Sequence, residues 1–288
     1  MQENIRSELF FLKQFGFNDI LLQHIFLSGL DPIQVIFKKD IDLEINLEDL
    51  FFEKEKKISN DFIAYEDFKK NLFSNESFLV KNSKNKIFFK YDRNEITEIV
   101  PEKIMPLFIY CKGDTSLLTK DKKRMAIIGT RHPSKKTIEI TQKLTQKFVE
   151  AGFVIVSGLA EGTDTIAHET ALKNNGKTIA ILPTNFNKIY PKSNKKLSDK
   201  IVEDGLLLTA IGPKENTYKS SFLERNQYVA NVSDVVLVTE TNLKSGTMNT
   251  IRNASEAAKK ILFVDQNDEK INNKIYEFGG EMLNADYE

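Results

Sequence analysis

From Met125 onward, apolar residues fall into short unbroken runs separated by longer stretches of mixed polarity. The runs are "MAIIG" (125–129), "FVIVSG" (153–158), "KTIAIL" (177–182), "LLLT" (206–209), "DVVLVT" (234–239) and "KILFV" (260–264). Runs of this length that are apolar on both faces predict strands buried from both sides. Between the first two, "SKKTIEITQKLTQKFVEAG" places Ile140, Leu144 and Phe148 on one helical stripe and ends at Gly152, a helix stop signal. Strands alternating with such helices predict an α/β fold: a doubly wound, mostly parallel sheet covered on both faces.

The pattern before Met125 is different. From Ser7 to about Phe37 the spacing is helical, with Leu9, Leu12 and Phe15 in one run and Ile20, Leu21, Ile25 and Phe26 in the next, separated by "FGFND". This predicts a small helical N-terminal domain preceding the sheet. Residues 45–100 are rich in Lys, Glu, Asn and Phe, and "KNSKNKIFFKYDRNE" (81–95) resembles a strand beside a polar loop. "MPLFIYCKGD" (105–114) predicts a short extended segment ending in a turn, and "TKDKKR" (119–124), where the texture changes, is the expected domain boundary. The expected division is a mainly helical unit with its linker over 1–100 and the α/β domain over 105–288. The 105–288 fragment is expected to fold alone and to hold the ligand turns.

In a sheet of this kind, ligands sit at the carboxyl ends of the strands, where helix N-termini offer unpaired N–H groups and a positive dipole end. "GTR" (129–131) ends the first strand. "SGLAEGTD" (157–164) ends the second, with a threonine or aspartate placed to cap the "TIAHETALK" helix. Neither turn has the G-x-G-x-x-G spacing of a dinucleotide site. Both fit a phosphate cradle, and both fit glycines that merely permit a tight strand-to-helix turn. The turn "KSGTMNT" (244–250), with Ser245 and Gly246, fits either a phosphate site or a turn that docks against the other loops. Glu240, at the end of the fifth strand, is placed either for chemistry or, more simply, to hold a neighbouring loop. His168 has no carboxylate or thiol at a spacing that suggests a general base, which favours a structural role.

Taken in order, "IIGTR", "VSGLAEGTDTIAH", "KTIAIL…IYPKSNKKL", "KSSFLERNQYVA" and "ETNLKSGTMNT" resemble the DNA-processing protein A (Smf) family of bacteria over roughly 105–264. The resemblance implies an extended Rossmann-like domain that binds single-stranded DNA, forms a homodimer and loads a RecA-type recombinase onto incoming strands in natural transformation. Carried over position by position, its nucleic-acid groove uses Gly129 and Arg131, Ser157 and Gly158, Lys192, Lys219 and Phe222, and Arg225 and Asn226. The chemistry is coherent: cations and turn amides meet phosphates, and an aromatic ring gives a base a surface to stack on. The chain departs from the family pattern at Gln227, where a second arginine is usual. It departs again at Thr209-Ala210-Ile211, where Ser-Glu-aromatic is usual, and mildly at Gly162-Thr163-Asp164.

Composition narrows the function classes. Lys+Arg and Asp+Glu both number 41, so whole-chain charge favours no partner, but residues 125–227 hold 15 basic against 10 acidic side chains, an excess suited to an anionic ligand. Residues 1–50 hold 4 basic and 9 acidic. One cysteine, Cys111, and three histidines leave neither a disulfide nor a metal cluster, and no cofactor is expected. The charged N-terminus and the absence of a long apolar run predict a cytoplasmic protein without a membrane span. Three classes remain at this stage: a non-enzymatic single-strand-binding mediator, a nucleotide-hydrolysing enzyme of related fold, and an antitoxin or phage-defence component that keeps the groove. The second is disfavoured because "LKSGTMNTI" lacks the Pro-Gly-Gly of the phosphoribohydrolase signature.

Overall fold

The computed structural model describes residues 2–38, 50–75 and 84–283. Residues 81–83 of the strand and loop expected over 81–95 lie outside these. The N-terminal unit comprises α1 (Gln2–Phe15), α2 (Asp19–Ser28), α3 (Glu53–Ile58) and α4 (Phe62–Asn75). α1 and α2 form where the stripe predicts, with Leu9, Leu12, Leu21 and Ile25 buried, whereas Ile20 of the same stripe faces outward. The Asn18 side chain caps α2 by accepting from the Leu21 N–H, and Gly29 ends that helix in the left-handed region at φ 69°.

All six runs read as strands are strands of one sheet. In chain order its members are β1 (Asn85–Phe89), β2 (Phe108–Gly113), β3 (Arg124–Ile128), β4 (Val154–Ser157), β5 (Thr178–Leu182), β6 (Leu206–Thr209), β7 (Val235–Val238), β8 (Lys260–Phe263) and β9 (Gly280–Met282). The spatial order is β1-β2-β6-β5-β4-β3-β7-β8-β9. β1 and β2 are antiparallel to each other, β2 is antiparallel to β6, and the neighbours from β6 to β9 run parallel. The crossovers are α5 (Lys135–Glu150), α6 (Thr163–Lys173), α7 (Lys195–Asp204), α8 (Lys219–Val232), α9 (Gly246–Glu256) and α10 (Glu269–Glu277).

Burial on both faces follows the strand pleat. Ala126, Ile128, Val156, Ile179 and Val236 pack against α8, α9 and the 96–118 segment, through Val229, Ile251, Leu117 and Leu118. Met125, Ile127, Ile155 and Leu237 pack the other way, under Ile140 and Leu144 of α5 and Ala167 and Ala171 of α6. This two-sided burial is why the strands lack the alternation of a half-exposed sheet.

The boundary expected near residues 100–105 does not separate two cores. β1, from the segment assigned to the N-terminal unit, pairs with β2 in the sheet. Leu107, Phe108 and Tyr110 share one buried cluster with Leu9, Phe10, Phe17 and Tyr65. A cut at 105 would strip β2 of its neighbour and expose those side chains, each worth about 1.5–3 kcal/mol when buried. Nor does "TKDKKR" divide domains, since it leads directly into β3, where Arg124 is buried and donates to the carbonyls of Val232 and Thr119.

The order of strand addition reverses at β3: β4, β5 and β6 extend the sheet to one side, and β7, β8 and β9 to the other. The crevice at the carboxyl ends of β3 and β7 is therefore the switch point at which ligands of doubly wound sheets bind.

Candidate nucleic-acid interface

A cavity of about 350 Å³ opens at that switch point. It is walled by the turn after β3 (Gly129, Arg131, His132), the turn after β4 (Gly158, Ala160), α8 (Phe222, Arg225, Asn226) and the turn between β7 and α9 (Lys244, Ser245, Gly246). The N-termini of α6 and α9 flank it and bring their positive dipole ends to it. Ser245 caps α9, its Oγ accepting from the Met248 N–H at 3.1 Å.

Close backbone approach explains the glycines. A Cβ on Gly129 would stand 2.5 Å from Thr163 Oγ1 and 2.8 Å from Thr239 Oγ1. Gly162, at φ 75°, lies against the first turn, where a Cβ would meet the Arg131 carbonyl at 2.5 Å. The Thr163 N–H donates to the Thr130 carbonyl at 3.1 Å, and the Thr247 hydroxyl donates to the Gly129 carbonyl at 2.9 Å. The three turns are thus stitched together around one opening.

Asp164 has a role that spacing did not reveal. One of its oxygens, Oδ2, accepts from the Gly158 N–H at 3.2 Å and the Ala160 N–H at 3.1 Å, and faces Arg225 Nη1 at 3.4 Å. Both side chains of the pair are about nine-tenths buried. Burial lowers the pKa of the Arg225 guanidinium, Asp164 opposes that effect, and the nearby Arg131 adds to it. The amides of "SGLAEG" are consequently held by an internal carboxylate, and the free positive charge at the opening belongs to other residues.

Of the residues singled out from the sequence, Gly129, Arg131, Gly158, Phe222, Arg225, Asn226, Ser245 and Gly246 are brought together on the cavity wall. Arg131 is exposed and forms no ion pair among the described residues. Asn226 bridges to α9, its Nδ2 donating to the Gly246 carbonyl at 3.2 Å. Phe222 is half-buried and meets the exposed ring of Tyr190 edge-on at 5.4 Å. Lys192 and Lys219 are exposed but stand outside the cavity wall, Lys219 as the first residue of α8. Ser157 departs from expectation: it is fully buried and off the cavity wall, and its hydroxyl donates to the Ile127 carbonyl at 2.7 Å, which ties β4 to β3.

Lys244 and His132 were not singled out, yet both line the cavity. Lys244 stood in the quoted "KSGTMNT" turn, where its charge was the available signal. Glu240 accepts from the Ser134 N–H at 3.2 Å, which ties two loops together. His168 is fully buried with Nδ1 2.7 Å from Thr178 Oγ1, and burial pushes its pKa down to about 4.

The family model for DNA recombination-mediator protein A matches residues 90–283. The chain belongs to this family. Among curated relatives of this DNA recombination-mediator family, DNA processing protein DprA of Streptococcus pneumoniae is 39% identical over 55% of this chain and 55% of its own length. DNA processing protein DprA of Bacillus subtilis is 34% identical over 55% of this chain and 53% of its own length. The matched stretch thus spans about half of each curated relative. Among solved structures, DNA processing protein A of Streptococcus pneumoniae superposes with a TM-score of 0.67 at 29% identity, over 96% of this chain and 94% of that one. DNA processing protein A of Helicobacter pylori, described for its single-stranded DNA binding mode, gives 0.60 at 34% identity over 69% and 90%.

Two of the three departures from the recombination-mediator pattern lie off the cavity, and the third, Gly162-Thr163-Asp164, reaches it through Asp164. Gln227 is half-buried on α8 and is not part of the wall. Thr209, at the end of β6, accepts from the Ile211 N–H at 3.0 Å, and Ala210 and Ile211 face a separate cleft beside α1 and α2.

Proposed function

We propose that this protein binds single-stranded DNA by its phosphate backbone across the cavity between β3 and β7. The observation that carries the reading is the exposed Arg131, which forms no ion pair among the described residues, on a wall that also holds Lys244 and the N-terminus of α9. Cations and helix N-termini meet phosphates, and Phe222 with Tyr190 offers an aromatic surface on which a base can stack, worth about 1–3 kcal/mol. A strand is preferred over a duplex because a ring in the wall is useful only to bases already unstacked.

The role we infer is that of a non-enzymatic mediator that protects single strands and passes them to a RecA-type recombinase during natural transformation, acting as a homodimer in the cytoplasm. Family membership and the single-strand binding described for the Helicobacter pylori relative support it. The absence of turnover is consistent with the wall's chemistry: Asp164 is committed to Arg225 and two amides, and His168, one turn further along α6, is fully buried against Thr178.

The test is a fluorescence-anisotropy titration with oligothymidine and with a duplex of equal length. Tighter binding of the single strand supports the reading. Equal or tighter binding of the duplex, or release of base or phosphate from a nucleotide, refutes it.

A further inference from the structure

The last turn of α1 grips the loop that leads into α8. Lys13 Nζ lies 2.6 Å from Asp19 Oδ1 at the start of α2 and 2.8 Å from Glu215 Oε1 in the loop between β6 and α8. The other oxygen of Glu215 accepts from the Gly212 N–H, closing a turn whose ends are also joined by the Glu215 N–H to the Gly212 carbonyl at 3.0 Å. Next to Lys13, the Gln14 amide donates to the Tyr110 hydroxyl at 2.8 Å, and its oxygen accepts from the Lys214 N–H at 3.1 Å. Gly212 is required for this contact, because a Cβ there would stand 2.3 Å from Gln14 Nε2. From the opposite side, Asn185 Nδ2 donates to the carbonyls of Pro213 and Glu215 at 3.3 and 3.4 Å. Three residues beyond Glu215, the Tyr218 N–H donates to Ser221 Oγ at 3.1 Å, and α8 begins.

Two consecutive residues of the N-terminal unit therefore clamp the loop that sets where α8 starts, and α8 carries Lys219, Phe222, Arg225 and Asn226. Simple docking does not need this arrangement. Burying a lysine between two carboxylates costs more desolvation than an apolar contact of the same area, but it admits a single register. We propose that Lys13 and Gln14 are positioning residues for nucleic-acid binding, acting through the 210–218 loop on α8. The proposal rests on the single-strand reading given above. It makes the N-terminal unit a working part of the groove, although its residues do not line the cavity.

The test uses the full chain, labelled oligothymidine, a salt series and thermal melting in parallel. Lys13→Met is expected to lower affinity several-fold and leave the slope of log affinity against log salt unchanged, because a buried lysine neutralises no phosphate. Lys13→Arg, which still spans both carboxylates with a cation, should restore most of the affinity. Gln14→Leu should weaken binding in the same way with no change of charge, and it decides the matter if Lys13→Met does not melt cooperatively. Folded variants that bind as tightly as the unaltered chain overturn the proposal alone. A slope flattened by Lys13→Met overturns it too, by making Lys13 a phosphate ligand. No binding by the unaltered chain overturns both this proposal and the single-strand reading.

Discussion

Arg225 occupies the space that a side chain on Gly158 would need: a Cβ built on that glycine falls 1.0 Å from Arg225 Nη1. The glycine in "SGLAEG" is thus explained by a guanidinium laid across it. That guanidinium in turn is held by Asp164, which also holds the loop amides of Gly158 and Ala160.

Gly158→Ala is expected to force Arg225 out of its place. The side chain cannot shift far, being buried on α8 against the sheet, so overpacking should cost about 1–3 kcal/mol. Urea denaturation measures the loss, and single-strand affinity should fall with it because Arg225 and Asn226 share a helical turn. An alanine variant as stable as its parent would mean that Arg225 has room elsewhere.

Removing either member of the buried pair leaves a charge without its partner. Asp164→Ala and Arg225→Ala should each destabilise by about 3–5 kcal/mol, and the double variant by clearly less than their sum. A double-mutant cycle on unfolding free energies reads the coupling directly. Strict additivity would show that the two do not interact.

Much of the fold was legible because its strands are buried on both faces: "FVIVSG" and "DVVLVT" cannot be half-exposed strands, and the helices between them carry ordinary stop signals such as Gly152. The edge of the sheet was legible only in part: "KNSKNKIFFKYDRNE" and "MPLFIYCKGD" read as extended segments, but not as members of the same sheet. β1 is a five-residue strand in a polar stretch, and its place beside β2 depends on contacts with α1 and α2, which no local pattern records. At the site, the turns could be found because glycines and cations cluster at strand ends. What each residue does there was harder to read. Ser157 and Gly158 look alike in a turn motif, but strand alternation points the serine inward. Arg225 reads as a surface cation until its partner, 61 residues earlier in the chain, is known.

His168 gives the fold a pH dependence of known sign. The Thr178 hydroxyl donates to the Ile155 carbonyl, so His168 Nδ1 must carry the hydrogen it shares with Thr178, and the ring is neutral. Its pKa falls from an ordinary 6.5 to about 4 on burial. Between those values the unfolded chain binds a proton that the folded chain lacks, so this contribution is complete above pH 6.5 and declines as pH falls towards 4. The expected loss from this group is about 2 kcal/mol between pH 7 and pH 5. His168→Asn retains a donor to Thr178 and should remove that part of the pH dependence. Parallel pH profiles for parent and variant would contradict the assignment.

The central claim is that phosphates are held at the turn after β3, and the salt dependence of single-strand binding tests it most directly. Oligothymidine affinity would be measured over a salt series for the unaltered chain, Arg131→Ala and Ser157→Ala. Each phosphate neutralised on a single strand adds about 0.7 to the slope of log affinity against log salt. Arg131→Ala should lower affinity on every base sequence alike and flatten the slope by about that amount, with its melting temperature unchanged. Ser157→Ala, which loses only the hydrogen bond to Ile127, should cost about 1 kcal/mol of stability and leave the slope as it was. A slope that Arg131→Ala leaves untouched, in a protein that still folds and binds, would contradict the account and place the phosphates elsewhere on the molecule.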